Sequence, residues 1–267
     1  MAASNRSRVT SIAIITDADS CVPTALQATL GIHTAPADPP LLLEHESIPR
    51  LRSEASEVTP DDALAACKAA IEAGTTDLLY LAASDGYGSA PDLEAALDGL
   101  EAHVLTEASG AALMGAGWQA IAAAEAIRDG GSLEDALAAA RRVRSTVEVL
   151  AMLEHPEMAT ALGNSELESS RRRALVKLRG PEISIINRPK SREDALPALR
   201  DLFAQSVGDP SRTHVAVHHA AAGPGAEALA RWIERELSPA RVLVAPLTRH
   251  AAARLGPRML GVAWYQT

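Results

Sequence analysis

The sequence predicts an α/β protein of two domains, an N-terminal parallel-sheet α/β domain over residues 1–160 and a C-terminal mixed-sheet α/β domain over residues 161–267. Three observations carry that expectation. In the first part, short apolar runs alternate with longer runs of helical period, a pattern that builds a parallel sheet with helices on its faces. Around residues 155–173 the character changes to His155-Pro156, Gly163-Asn164 and Arg171-Arg172-Arg173, which reads as a linker or surface excursion. Beyond it, Ala174–Leu178 and Ile183–Ile186 flank Arg179-Gly180-Pro181 as the arms of a hairpin do. At 267 residues the chain is long for one compact core and comfortable for two.

The elements follow in order. Ser11–Thr16 is a buried strand, and Pro23–Leu30 a first helix. Gly31–Thr34 is a short second strand, and the prolines of residues 35–54 mark irregular loop. Thr59 is placed to cap a helix, with Pro60 at its first position and Asp61 and Asp62 at its positive end. Gly74 stops it, and Asp77–Ala83 is the next strand. After the turn Ser84–Ser89 come a helix over Asp92–Leu100, a strand over His103–Thr106, and two Ala-rich helices over Gly115–Arg128 and Leu133–Leu153. Ser132 caps the second of these, with Asp135 three residues on. The last part holds the hairpin, a helix over Glu193–Gln205, and a strand over His214–His218. A helix over Ala226–Leu237 and strands over Arg241–Pro246 and Leu260–Trp264 complete it.

Composition excludes several functions. The net charge of −9 argues against nucleic acid, because phosphate contacts need a basic face. No apolar stretch is long enough to span a bilayer, and Met1–Val9 is polar, so neither stable membrane insertion nor a signal peptide is expected; the protein reads as cytoplasmic. Cys21 and Cys67 are far apart and form no CxxC, so both are expected to be buried or half-buried thiols.

Candidate chemistry is sparse. Asp17 ends the first strand, where open α/β sheets place ligands; it serves either as a wall of a site or as the cap of the next turn. Ser84-Asp85-Gly86-Tyr87-Gly88-Ser89 lies between a strand and a helix, where backbone N–H groups and hydroxyls can receive an anion. It is neither a dinucleotide nor a Walker fingerprint, so no cofactor is expected. Ser56 stands just ahead of the Thr59 cap. His214 and His218 share one strand face, but no third ligand is evident, so no metal is expected and they read as satisfied strand-end histidines. Ala222-Gly223-Pro224-Gly225 reads as the turn that opens a helix. The Arg171–Arg173 run reads as solvated linker or as a patch for an acidic partner.

Several motifs, taken in order, resemble the DegV family over nearly the whole chain. Ile15-Thr16-Asp17-Ala18-Asp19-Ser20 is similar to that family's strand ending in Thr-Asp-Ser. Ala55-Ser56-Glu57-Val58-Thr59-Pro60 is similar to its Thr-Ser-Gln-Pro-Ser-Pro loop, with Ala55 in place of the Thr. Ser84–Ala90 stands where its second serine loop stands, and Arg188–Ala195 echoes its basic stretch opening a helix. Arg254-Leu-Gly256-Pro257-Arg258-Met-Leu-Gly261-Val-Ala-Trp264 resembles its terminal His-x-Gly-Pro-Gly segment, with Arg254 for the His and Arg258 for the last Gly.

The resemblance implies a two-domain protein with a Rossmann-like N-terminal domain that binds a long-chain fatty acid between its domains. The bound carboxylate is presented to a fatty acid kinase subunit, as in bacterial members; the protein is then a carrier and not an enzyme. Carried over position by position, Ser56, Ser84 and Asp17 border the head group, with Arg254 and Gly256 from the terminal segment. The alternative is a DegV-like protein with another ligand or none, acting in interaction or regulation. A small-molecule enzyme using Asp17, Ser84 and a histidine lacks a cofactor fingerprint and a GxSxG motif.

Overall fold

The computed structural model describes residues 11–37, 58–83, 93–162, 165–169, 172–179 and 182–267. Four strands form the first sheet: β1 (Ile12–Asp17), β2 (Ile32–Ala35), β3 (Asp77–Ala82) and β4 (His103–Ala108), in the order β2-β1-β3-β4 and parallel throughout. Parallel strands need crossovers. These are made by α1 (Thr24–Leu30) between β1 and β2 and by α3 (Leu93–Leu97) between β3 and β4, while α2 (Pro60–Glu72) precedes β3. Thr59 caps α2 through a reciprocal box with Asp62, as the sequence predicts. Both faces of the sheet are covered. Ala13, Ile15, Leu78 and Tyr80 pack against α2, whereas Ile14, Leu79 and Leu81 face the helix pair that follows. Covering both faces explains why β1 and β3 read as continuous apolar runs.

That pair is α4 (Met114–Arg128) and α5 (Leu133–Thr146), the second capped by Ser132 with Asp135. The single helix expected over Leu133–Leu153 is corrected here. It ends at Thr146, and Glu148–Leu153 becomes β5. β5 is the third strand of a six-stranded sheet, paired with β6 (Ala174–Arg179) on one side and β10 (Leu260–Gln266) on the other. An apolar run of that length serves a buried strand or a buried helix equally well, and the two partner strands decide. Residue 160, the expected domain boundary, thus follows a strand that already belongs to the second sheet. The excursion expected over 155–173 holds a 3₁₀ turn (Pro156–Leu162) and the short α6 (Ser165–Glu168).

The second sheet runs β7-β6-β5-β10-β8-β9, with β7 (Glu182–Asn187) forming the predicted hairpin with β6. β8 (Thr213–His219) and β9 (Arg241–Pro246) are its parallel pair. One face carries α7 (Arg192–Ser206) and α8 (Gly223–Leu237), packed on Leu150, Met152, Val215, Val217 and Trp264. The other contributes Val149, Ala151, Val176, Ala216 and Ala263 to the same core as Ile14 and Leu79. Helix α4 therefore lies between the two sheets. Its Met114–Ile121 stretch is buried on every side, and Trp118 Nε1 donates to the Ala263 carbonyl at 3.2 Å. Small side chains let two sheets close on one helix, which is the physical use of the Ala-rich composition. The last helix, α9 (Arg249–Leu255), was not expected from the sequence.

One close approach sets a packing limit. Gly261 on β10 lies against the His218 ring of β8, and a Cβ there would also stand 2.6 Å from the Leu150 carbonyl oxygen. Both neighbours sit on central strands and cannot retreat. Gly261→Ala is expected to cost about 1–3 kcal/mol of stability, measured by urea unfolding.

Candidate functional site

The site lies where the carboxyl end of β1 meets α9. Asp17 is the last residue of β1 and is buried. It does not cap the 3₁₀ turn Ala18–Ser20 that follows. Instead its two oxygens turn to β3: Tyr80 Oη donates to Oδ1 at 2.5 Å and the Ala83 N–H donates to Oδ2 at 2.7 Å. Burial pushes the Asp17 carboxyl up to about 7; the Tyr80 and Ala83 hydrogen bonds oppose this, and neighbouring Asp19 adds to it. Burial, with Asp17 beside it, also raises the Tyr80 phenol, which therefore stays protonated as the donor. Asp17 thereby ties down Ala83, the residue that precedes Ser84 in the sequence.

Asp19 reaches the other way. Arg254, the next-to-last residue of α9, donates from Nη1 to Asp19 Oδ2 at 2.9 Å, and His250 Nε2 stands 3.9 Å from the same oxygen. Arg254 is only 5% exposed, and its Nη2 has no hydrogen-bond partner among the described residues. Nor does the hydroxyl of Ser20, also buried. One further contact ties the helix to the turn after β1: Thr248, the N-cap of α9, donates to the Ala18 carbonyl at 3.2 Å, while within the helix it accepts from the Ala251 N–H. Gly256 ends α9 at φ +88, a left-handed-side conformation that suits glycine, and any Cβ would press on His155 and Met158 at 3.1 Å.

Of the expected site residues, the structure brings Asp17, Arg254 and Gly256 to this junction; Ser56 and Ser84 lie outside the described residues. Sequence reasoning missed Asp19, Tyr80 and His250. A signal for one was present: Asp19 is the second carboxylate of the same short motif.

His214 and His218 are not satisfied strand-end histidines. Both ring nitrogens of His218 and Nδ1 of His214 are buried without partners, because alternation along β8 places them on the apolar face beneath α4. Burial pushes His218 down to about 3, so it is neutral. Among the described residues no group of three His, Cys, Asp or Glu could hold a metal. The Ala222–Gly225 segment opens α8 as expected, with the Ala222 N–H donating to His219 Nδ1 at 3.1 Å. Beside it is a depression of about 460 Å³ lined by Arg192, Leu196, Pro224 and Arg258. Arg192 is already engaged, donating to Glu154 and to the Arg258 carbonyl. Cys21 and Cys67 are both buried free thiols. Among the described residues, no helix is long and apolar enough to cross a membrane.

Neither protein-family models nor curated proteins give a match to this chain. Solved structures do. A fatty-acid-binding DegV family protein from Thermus thermophilus superposes with a TM-score of 0.77 at 19% identity, over 97% of this chain and 100% of its own. DegV from Bacillus subtilis, described as a fatty acid binding protein, gives 0.76 at 15% identity over 97% and 100%. A stearic-acid-binding protein from Eubacterium ventriosum gives 0.76 at 10% identity over 95% and 97%. From one end to the other, with sequence divergence this deep, the chain has the two-domain α/β fold of the DegV fatty-acid-binding proteins.

Proposed function

We propose that this protein is a divergent DegV family member that binds a long-chain fatty acid between its two domains and presents the carboxylate to a partner fatty acid kinase subunit. It carries the ligand and does not transform it. The observation that carries the reading is Arg254: a buried guanidinium between the two sheets with one arm on Asp19 and Nη2 unpartnered. A buried donor without a partner costs about 1–3 kcal/mol, and a carboxylate removes that cost. A guanidinium fork also binds a carboxylate more strongly than the imidazole expected at this position. Ser56 and Ser84 are assigned the remaining head-group bonds, and Asp17 the placement of the Ser84 loop. The tail supplies the affinity, since each buried methylene contributes about 0.8 kcal/mol.

The pairing of Arg254 with Asp19 favours a second reading, a fold retained with another ligand or none, because the cation is partly neutralised from within. Solvent extraction of the purified protein separates the two. A stoichiometric long-chain fatty acid supports the first; an empty protein that takes up neither palmitate nor oleate refutes it. Arg254→Lys keeps the charge opposite Asp19 and removes the fork. It is expected to weaken fatty acid binding about tenfold, read by calorimetry.

A further inference from the structure

Among the described residues, the buried junction holds two carboxylates, Asp17 and Asp19, and one guanidinium, Arg254. Asp17 and Asp19 come from β1 and its turn, and Arg254 is the guanidinium that pairs with Asp19. Tyr80 from β3 faces Asp17 as a neutral donor, with Cys67 and Asp62 of α2 behind it. His250 of α9 faces Asp19. A ligand anion seated on Arg254 Nη2 would add a further negative charge to a site from which water is largely excluded, where like charges repel strongly. Asp19 is bonded to Arg254. Asp17 has no cation bonded to it; its partners are a phenol and a backbone N–H. It can therefore take a proton and keep its place, because the protonated acid still accepts from Ala83 and exchanges a hydrogen bond with Tyr80.

We propose that anion binding at Arg254 is proton-coupled: the ligand's negative charge enters Nη2 of Arg254 as one proton from solvent enters the Asp17 carboxyl. The inference rests on the fatty acid reading and concerns the regulation of the same site. Binding is then tightest where Asp17 is already protonated and weakens as the pH rises. In alkaline solution the site releases its ligand while the fold stays intact.

The test is calorimetry of the full chain, freed of lipid, with tetradecylsulfonate and myristate at pH 6 and pH 8, each in two buffers of different ionisation enthalpy. The sulfonate is ionised throughout, so any proton taken up belongs to the protein. Expected are close to one proton per sulfonate at pH 8 and close to none at pH 6, with the Kd weakening nearly tenfold per pH unit above 8. Whatever its affinity, Asp17→Asn should show no proton uptake on binding at either pH. Binding at pH 8 with no proton uptake by the wild-type protein overturns this inference and leaves the fatty acid reading standing. Failure to bind either probe overturns both.

Discussion

Asp19→Ala is expected to destabilise the protein by about 3–5 kcal/mol, because it leaves the Arg254 guanidinium buried and without its carboxylate. The pair joins the end of β1 to α9 across 235 positions of sequence, so the loss falls on the junction between the two sheets. Most of that cost belongs to the stranded charge. The double variant Asp19→Ala/Arg254→Met removes both charges and is expected to recover the larger part of it, since a buried pair replaced by apolar groups is often neutral. Urea unfolding of wild type, both single variants and the double variant closes the cycle. A double variant as unstable as the sum of the single ones would show that the two residues act independently.

The second large effect is a pair of opposed pH slopes. Asp17 titrates at 3.8 when unfolded and at about 7 when folded. Between those values the folded state holds a proton that the unfolded state has lost, so its contribution is present in acid and is lost as pH rises. His218 behaves in the opposite sense. Its unfolded value is 6.5 and its folded value about 3, so between them the unfolded chain holds the extra proton and stability is lost as pH falls. From about pH 4 to pH 6 the two slopes, each about 1.4 kcal/mol per pH unit at full titration, cancel. His214 and His219, also lowered by burial, add slope of the His218 sign, and so the wild type retains a net loss in acid. Asp17→Asn should steepen that loss by about 1.4 kcal/mol per unit, and His218→Leu should shift the slope by the same amount the other way. Urea midpoints at pH 4, 5 and 6 decide; slopes unchanged in both variants would mean that neither group is perturbed by the fold.

What could be read in the sequence was local. Thr59 with Asp62 and Ser132 with Asp135 announce two helix starts, because each box is complete within four residues. Glycine and proline between two apolar runs announce the β6–β7 hairpin, and the double burial of β1 and β3 shows in their unbroken apolar character. Order and spacing of the motifs also point to the two-sheet fold and to Asp17, Arg254 and Gly256 as neighbours of one site.

Tertiary structure decided the rest, for one physical reason: these features depend on partners far away in the chain. Val149–Leu153 would serve as helix or strand, and only β6 and β10 on either side make it β5. Arg249–Leu255 is a helix of 7 residues, too brief for its period to show, and is held by Thr248 against the turn after β1. Asp17 reads as either a site wall or a cap, and the fold gives both its oxygens to Tyr80 and Ala83. Arg254 was expected at the head group in place of a histidine, and the fold buries it against Asp19, a partner the sequence did not suggest. The buried charge of that junction exists only after β1, β3 and α9 have come together.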